Sequence, residues 1–306
     1  TAIAAWGRAG DPDRALAVLA GMSASGMEPN KFCYSAAMAV CVNCGRWSHA
    51  LSLLDDLKAS GIEPDVRCYG QAVRACEKGQ QWARAFALLE EMTEKGQTPT
   101  IMMCTKVMAM CTKASQWEKA LMLVGQAKRS GLKPDKVMYS AAMAALSKGG
   151  QWERAVALLR ELRAGGMMNS IAYNSAIAAC GRAGQWNVAL NLLADMPADG
   201  LAPDVVTFNT VIAACDKGGQ AEHAIALLDK MDSAGVRPDL YSFNSAISAC
   251  KNGGQWERAS ALLEDMRIRG INPDVISYSA AISACEKAGE WDHALSLLTQ
   301  NGAPRP

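Results

Sequence analysis

The sequence has no run of 18 apolar residues, few aromatic residues and no excess of charge of either sign. The missing apolar run predicts no membrane insertion. Aromatic residues make up only 6% of the chain while Ala and Leu dominate its apolar set, which favours closely packed helices over a sandwich or barrel. A net charge of +1 lacks the basic balance of many nucleic-acid binders.

The sequence also lacks the motifs of common enzymes. It has no glycine loop for cradling phosphate, no nucleophile elbow and no paired histidine ligands. We therefore predict that the chain is not an enzyme and requires no cofactor and no metal. There is no initiator Met, basic leader or secretory segment, so we expect any targeting segment to lie outside the chain.

What the sequence does contain is a repeat marked by tryptophan. The spacing is 35 residues, with one interval of 34 and one skipped slot at Ala221, for Trp47, Trp82, Trp117, Trp152, Trp186, Trp256 and Trp291. A fixed period of this length is typical of a solenoid. We predict a single array over 1–306, with partial repeats at 1–30 and 275–306. The predicted full repeats are 31–65, 66–100, 101–135, 136–169 (one residue short), 170–204, 205–239 and 240–274.

Each repeat contains two apolar stripes with helical spacing. In 205–239 the first stripe is Phe208, Val211, Ile212 and Cys215, and the second is Ala224, Leu227, Leu228 and Met231. This i, i+3, i+4, i+7 spacing predicts amphipathic helices. The glycines Gly218 and Gly219 separate them. The repeat is therefore a helical hairpin that must stack on its neighbours to bury its apolar face.

Several chemically suggestive residues fit a packing role. Counting places from the first residue of each repeat, place eleven is Cys41, Cys76, Cys111, Cys180, Cys215, Cys250 and Cys285. Recurrence on the buried stripe favours packing over metal binding, because free cysteine behaves as a small hydrophobe. Cys41 and Cys44 form a C-x-x-C, but no second pair has zinc-ribbon spacing. His49, His223 and His293 all fall at place nineteen, where other repeats carry Lys or Arg.

The repeat resembles the pentatricopeptide repeat. Stretches such as VTFNTVIAACDKGG and AIALLDKMDSAGVRPD match its usual form, with an aromatic at place four, Asn, Thr or Ser at place five, and a closing Met, Gly and Pro-Asp. The tetratricopeptide repeat fits less well, since it has 34 residues and a Trp-Leu-Gly-Tyr pattern that is missing here. The resemblance implies an all-α, right-handed superhelical solenoid of about nine helix-turn-helix repeats. It also implies single-stranded RNA binding in a chloroplast or mitochondrion.

Place thirteen carries one cation in most repeats. These predicted phosphate-contacting residues are Arg8, Lys78, Lys113, Lys148, Arg182, Lys217 and Lys287, with Lys251 one place early. Evenly spaced cations suit a phosphate backbone. The alternative is that they only complement the dipole at the carboxyl end of each first helix.

Place two is apolar although it lies outside the core stripe. Its residues are Phe32, Met102, Val137, Ile171, Val206, Tyr241 and Ile276, with Arg67 as the exception. In the resembled family this residue sandwiches a base between neighbouring repeats, and apolar contact with a base face tolerates any sequence.

In the same family, place five and the last residue of the repeat together select the base. The pairs here are Ser35 with Asp65, Gly70 with Thr100, Thr105 with Asp135, Ser140 with Asn169, Asn174 with Asp204, Asn209 with Asp239, and Asn244 with Asp274. Asn30 and Ser279 are halves of truncated pairs. The resemblance implies the 5′ to 3′ preference G, any, G, A, U, U, U.

The leading hypothesis is sequence-selective RNA binding in organellar RNA metabolism, by stabilisation, processing or translation, with other proteins of an organellar complex as further partners. One alternative is a helical scaffold that binds protein in an organellar ribosome or another large complex, since solenoids serve that role equally well. Another is the recognition half of an RNA-processing enzyme without its catalytic domain.

Overall fold

The computed structural model describes residue 6, residues 10–25 and residues 27–302 of the chain. This part consists of α-helices joined by short turns and one 3₁₀ segment, Met196–Asp199, and contains no strand. The helices are α1 Pro12–Ala24, α2 Lys31–Asn43, α3 Trp47–Ala59, α4 Val66–Lys78, α5 Trp82–Glu94, α6 Ile101–Lys113, α7 Trp117–Arg129, α8 Lys136–Lys148, α9 Trp152–Ala164, α10 Ser170–Arg182, α11 Trp186–Asp195, α12 Val205–Lys217, α13 Ala221–Ser233, α14 Leu240–Asn252, α15 Trp256–Ile268, α16 Val275–Ala288 and α17 Trp291–Gly302. The predicted all-α repeat solenoid is confirmed.

The chain divides into two compact units, Thr1–Ala145 and Leu146–Pro306. In the first unit, α2 packs on α4 and α4 packs on α6. In the second, α10, α12, α14 and α16 pack on one another in that order. These are the first helices of successive repeats, and we call the surface they form within each unit the first-helix layer. Within a unit, second helices pack against the first helix of their own repeat, as α12 and α13 show.

A polar residue at the end of each repeat caps the next first helix. Asp65 accepts a hydrogen bond from the backbone N–H of Cys68 at 2.9 Å, and Asn169 accepts one from Ala172 at 2.7 Å. Thr100, Asp135, Asp204, Asp239 and Asp274 accept from the equivalent N–H in their repeats. These caps satisfy donors that have no partner inside the helix.

Tryptophan opens most second helices and packs on the following hairpin. A Cβ atom added to Gly79 would overlap the Trp47 ring, and one added to Gly218 would overlap the Trp186 ring. Both glycines stand at place fourteen of the next repeat. Where Ala221 replaces tryptophan, the nearest side-chain atom to a Cβ at Gly253 is 3.6 Å away, on Gln255. Gly79 and Gly218 therefore have less room for a side chain than Gly253 has.

The place-eleven cysteines lie in the core, as the packing interpretation requires. All seven are buried, and every cysteine of the chain is free. Burial raises the pKa of the Cys76 and Cys215 thiols to about 11, so these side chains stay protonated at neutral pH. His223 and His293 lie against Trp186 and Trp256 of the preceding repeats, with ring centroids 4.9 and 4.3 Å apart.

Tyrosines at place four connect neighbouring repeats through acids in the second half of their own repeat. The Tyr69 hydroxyl donates to Glu91 at 2.9 Å, and Lys58 of the preceding repeat binds the same carboxylate at 2.6 Å. In the second unit, Tyr173 donates to Asp199, which Arg163 of the preceding repeat also binds. Burial opposes the charge on Glu91, but hydrogen bonds from its lysine and tyrosine partners hold its pKa below the usual range.

Gly218→Ala should destabilise the protein more than Gly253→Ala. The new methyl at Gly218 must displace the Trp186 ring, and overpacking of this kind costs about 1–3 kcal/mol. Gly253 is the matched control, because it has the same place in its repeat but no tryptophan above it. Urea unfolding of the two variants measures the difference. Equal stability of the two would contradict the tight packing at this place.

Asp239→Ala should cost about 1 kcal/mol of stability at pH 7, the usual contribution of an N-cap. Burial opposes the charge of Asp239, but hydrogen bonds from Ser242 and Asn209 outweigh it and lower its pKa below 3.8. The charge of Asp239 therefore contributes its full stabilisation of the folded state above pH 3.8. This stabilisation is lost as the pH falls through the lower pKa that Asp239 has in the folded protein.

Unfolding free energies of wild type and Asp239→Ala should consequently converge when urea titrations are moved from pH 5 to pH 2.5. Asp229→Ala, at an exposed position of α13, is the control and should show no such trend. A difference that stays constant with pH would show that the charge of Asp239 does not contribute.

Candidate nucleic-acid interface

The predicted base-sandwiching residues are apolar side chains open to solvent. Phe32, at 52%, is the least exposed of the seven and Met102, at 70%, is the most exposed. Val137, Ile171, Val206, Tyr241 and Ile276 lie between these values. They stand on the first turn of each first helix, outside the packed core. Apolar groups left this exposed are available for contact with a ligand.

In the second unit, members of all three predicted sets line one cavity. It has a volume of about 390 Å³ and lies between α10, α12 and α14. Val206 and Tyr241 contribute apolar surface, Asn209 contributes an amide, and Arg182 and Lys217 contribute positive charge. The structure thus brings apolar, hydrogen-bonding and cationic groups together on the first-helix layer.

The place-thirteen cations stand at the last turn of their helices, where five of them are exposed lysines. These are Lys78, Lys113, Lys148, Lys217 and Lys287. Lys251 is half-buried, and Arg182 donates to the Ser147 hydroxyl at 2.7 Å and to the Ser147 carbonyl. Arg182 therefore also joins two repeats. Arg8 lies outside the described residues.

Acids stand beside several of these cations. Place twelve, directly before the cation, is acidic at Glu77, Asp216 and Glu286. Glu77 pairs with Lys106 of the next repeat. Asp216 accepts from the Asn252 amide at 3.1 Å, and burial raises its pKa against the opposing effect of neighbouring lysines. The positive charge is therefore partly offset along the layer.

Two of the predicted base-selecting pairs are directly hydrogen-bonded. Asn209 Nδ2 donates to Asp239 Oδ1 at 3.1 Å, and Asn244 Nδ2 donates to Asp274 Oδ1 at 3.2 Å. For Asp204, burial opposes ionisation, but bonds from Thr207 and from Asn174 lower its pKa. Place five of repeat 205–239 is largely covered, because Asn209 is only 8% exposed.

The hydroxyls at place five bond to their own helices. Thr105 Oγ1 donates to the Ile101 carbonyl and Ser140 Oγ to the Lys136 carbonyl, both at 2.8 Å. Each oxygen then has lone pairs left to accept from a ligand. Ser35 and Gly70 are half-buried and Ser279 is exposed. Ser140 belongs to the first unit and Asn169 to the second.

Place three is a set of residues that the sequence patterns did not single out. Thr207, Ser242 and Ser277 are fully buried, at 0% exposure, and each bonds to the capping aspartate three residues before it. Ser242 and Ser277 also donate to the place-five amides of the preceding repeats. The signal available in the sequence was the spacing Asp-x-x-Ser or Asp-x-x-Thr after proline, which marks a helix start.

The structure shows two further features of the described residues. They contain no cluster of His, Cys, Asp and Glu that could hold a metal ion. None of the helices among residues 10–25 and 27–302 has the length and apolar character needed to cross a bilayer.

Comparison with known proteins places these features in a family. The PPR repeat family matches residues 168–217, 203–252 and 238–287, and the pentatricopeptide repeat domain matches 52–114 and 87–149. The PPR repeat matches 32–62, 137–167 and 276–300. The comparison with curated proteins found no match.

Solved structures give the same result for the fold. The pentatricopeptide repeat protein PPR10 from maize is 25% identical, with a TM-score of 0.57, covering 99% of this chain and 48% of that one. PPR10 in complex with an 18-nt psaJ RNA element is 22% identical, with a TM-score of 0.63, covering 97% and 43%. The chain thus spans less than half of either solved chain. With its repeats matched from residue 32 to residue 300, the chain belongs to the pentatricopeptide repeat family.

Proposed function

We propose that the chain binds single-stranded RNA with sequence selectivity, one base per repeat, and serves organellar RNA metabolism. The observation that carries the proposal is the 390 Å³ cavity between α10, α12 and α14. A nucleotide needs a surface for its base, a partner for its base edge and a positive charge for its phosphate. This cavity offers all three of these groups.

The two apolar walls suit the face of a base. Val206 and Tyr241 occupy place two of consecutive repeats and are 60% and 58% exposed. A base inserted between them would bury apolar surface on both sides, which stabilises any of the four bases. Selectivity must then come from Asn209, whose amide can donate to and accept from a base edge. Arg182 and Lys217 stand where a phosphate could lie.

The likeness to a known RNA complex supports the same proposal. PPR10, which shares this fold, has been solved with an 18-nt psaJ RNA element. The organellar setting rests on the family resemblance, and stabilisation, processing and translation of a transcript are all outcomes of passive binding. Such binding requires positioned side chains rather than a reaction.

A protein-binding scaffold is the second candidate, and one observation favours it. A cavity of about 470 Å³ lies between the second helices α13 and α15, with Ile225 and Leu262 in its lining and the acids Glu222, Asp229 and Asp265 around them. Under this alternative the first-helix layer carries no RNA, and the chain purifies with a protein partner instead.

RNA affinity should depend on salt with a slope of log Kd against log salt concentration of about 3–5 in magnitude. Each engaged phosphate contributes about 0.7 on a single strand. Lys217→Ala should lower the magnitude by about 0.7, whereas Lys230→Ala, on the second helix α13, should leave it unchanged. Fluorescence anisotropy with a selected RNA over a salt series measures both. Equal slopes for the two variants would remove the place-thirteen cations from the proposal.

Asn209→Thr should move the preference at one nucleotide from U toward G. The pair Thr–Asp then matches the one at Thr105 and Asp135, and a base-edge contact is worth about 1–3 kcal/mol of discrimination. Affinities for RNAs that differ at this nucleotide alone measure the shift, with the nucleotides facing 170–204 and 240–274 as internal controls. A uniform loss of affinity for all sequences would indicate structural damage instead of altered base selection.

A further inference from the structure

Three consecutive repeats carry the same Asn–Asp pair but differ in the hydroxyl residue that follows it. Asn209 and Asn244 are followed, at place three of the next repeat, by Ser242 and Ser277. Asn174 is followed by Thr207. All three hydroxyl residues are fully buried, so no water competes for their single protons.

In the serine cases the hydroxyl donates its hydrogen bond to the asparagine of the preceding repeat. Ser242 Oγ lies 2.5 Å from Asn209 Oδ1 and 2.9 Å from Asp239 Oδ1. Neither acceptor oxygen carries a proton, and the single hydroxyl proton of Ser242 is assigned to the shorter contact, the one to Asn209 Oδ1. The carboxylate is already bound by the Ser242 N–H and by Asn209 Nδ2. The amide is thus held at both ends, with Nδ2 toward the acid and Oδ1 toward the hydroxyl.

In the threonine case the hydroxyl donates its hydrogen bond to the capping aspartate instead. Thr207 Oγ1 donates to Asp204 Oδ1 at 2.7 Å. Asn174 Oδ1 is buried, and it accepts no hydrogen bond within the part of the chain that the structure describes. The branched side chain of threonine has fewer rotamers than serine inside a helix, which keeps its hydroxyl on the aspartate. The Asn174 amide therefore lacks the hydrogen bond at its oxygen that the other two amides have, and its remaining interaction is with Asp204, whose pKa it lowers.

The orientation of this amide matters for telling pyrimidines apart. Uracil presents an acceptor, O4, beside a donor, N3–H, whereas cytosine presents a donor, N4–H, beside an acceptor, N3. An asparagine amide can pair with either edge, but only by exchanging the positions of its oxygen and its nitrogen. A fixed amide therefore distinguishes the two bases, and an amide that turns over easily accepts both.

We propose that the hydroxyl residue at place three of the following repeat is a positioning residue that sets how strictly an Asn–Asp pair selects uracil over cytosine. Serine locks the amide in repeats 205–239 and 240–274, and threonine leaves it free to turn in repeat 170–204. This inference rests on the proposed RNA-binding function. The difference between the repeats is one hydrogen bond, which corresponds to a roughly three- to tenfold change in discrimination.

The test is a selection from a pool of single-stranded RNAs of random sequence, using the full chain. Wild type should prefer U over C less strongly at the nucleotide facing 170–204 than at the one facing 205–239. Thr207→Ser should strengthen the first preference, and Ser242→Thr should weaken the second, each roughly three- to tenfold and at that nucleotide alone. Thr299→Ser, on the second helix α17, is the matched control and should change neither.

Folding is checked separately, by helical circular dichroism during thermal unfolding. Should Ser242→Thr fail to fold, Ser242→Ala takes its place, since it removes the donor without adding a methyl group and should weaken the same preference. If RNAs are enriched but the exchanges leave both preferences as in wild type, the positioning role is overturned and RNA binding stands. If wild type enriches no RNA at all, the proposed function and this inference both fall.

Discussion

The carboxylate that ends a repeat belongs to two repeats at once. Asp239 closes the repeat 205–239, yet it caps the helix that opens the next one. Its Oδ1 atom also binds the Asn209 amide, on the first helix of its own repeat. Because one side chain connects two first helices, it fixes the distance and register between them. The cavity walls, the amide and the neighbouring cations all take their positions from that register.

This double role limits which residues can end a repeat. An N-cap needs a short side chain with an oxygen that reaches the third N–H of the helix, and Asp, Asn, Ser and Thr meet this need. The described repeats use Asp, Thr100 and Asn169 at this place. If the same residue contributes to base selection, selection can vary only among capping residues. Changes of preference that keep the cap intact must then occur at place five, or at place three as proposed above.

The helix boundaries were predictable because they follow from strong local signals. Each tryptophan of the series from Trp47 to Trp291 starts a second helix, and a Gly at place fifteen, such as Gly219 with φ +66°, starts the turn before it. These signals act within a few residues. Gln80 and Ser115 adopt the same left-handed conformation with φ of 53° and 60°, which the residue type alone does not indicate.

The contacts of the candidate site were less predictable, because they depend on the neighbouring repeat. A helical projection places Asn209 away from the apolar stripe, but the following first helix covers it and leaves it 8% exposed. Arg182 looked like one member of an even series, whereas it bonds to Ser147 of the repeat before it. A pattern within one repeat contains no information on the angle at which the next repeat packs. The hydrogen bond from the place-three hydroxyl to the place-five amide of the preceding repeat was not predictable for the same reason.

Under the proposed function, the charge distribution shows how a nearly neutral chain can select RNA. Lys217 and Lys287 each follow an acid, Asp216 and Glu286, so their fields largely cancel at a distance of one Debye length, about 10 Å at moderate salt. A phosphate therefore gains from these cations only when it lies against them. At these two places non-specific attraction of polyanions is therefore weakened, and under the proposed function affinity must come from contacts that form only when the bases also fit. Placing acids next to the cations thus favours selectivity of binding over affinity.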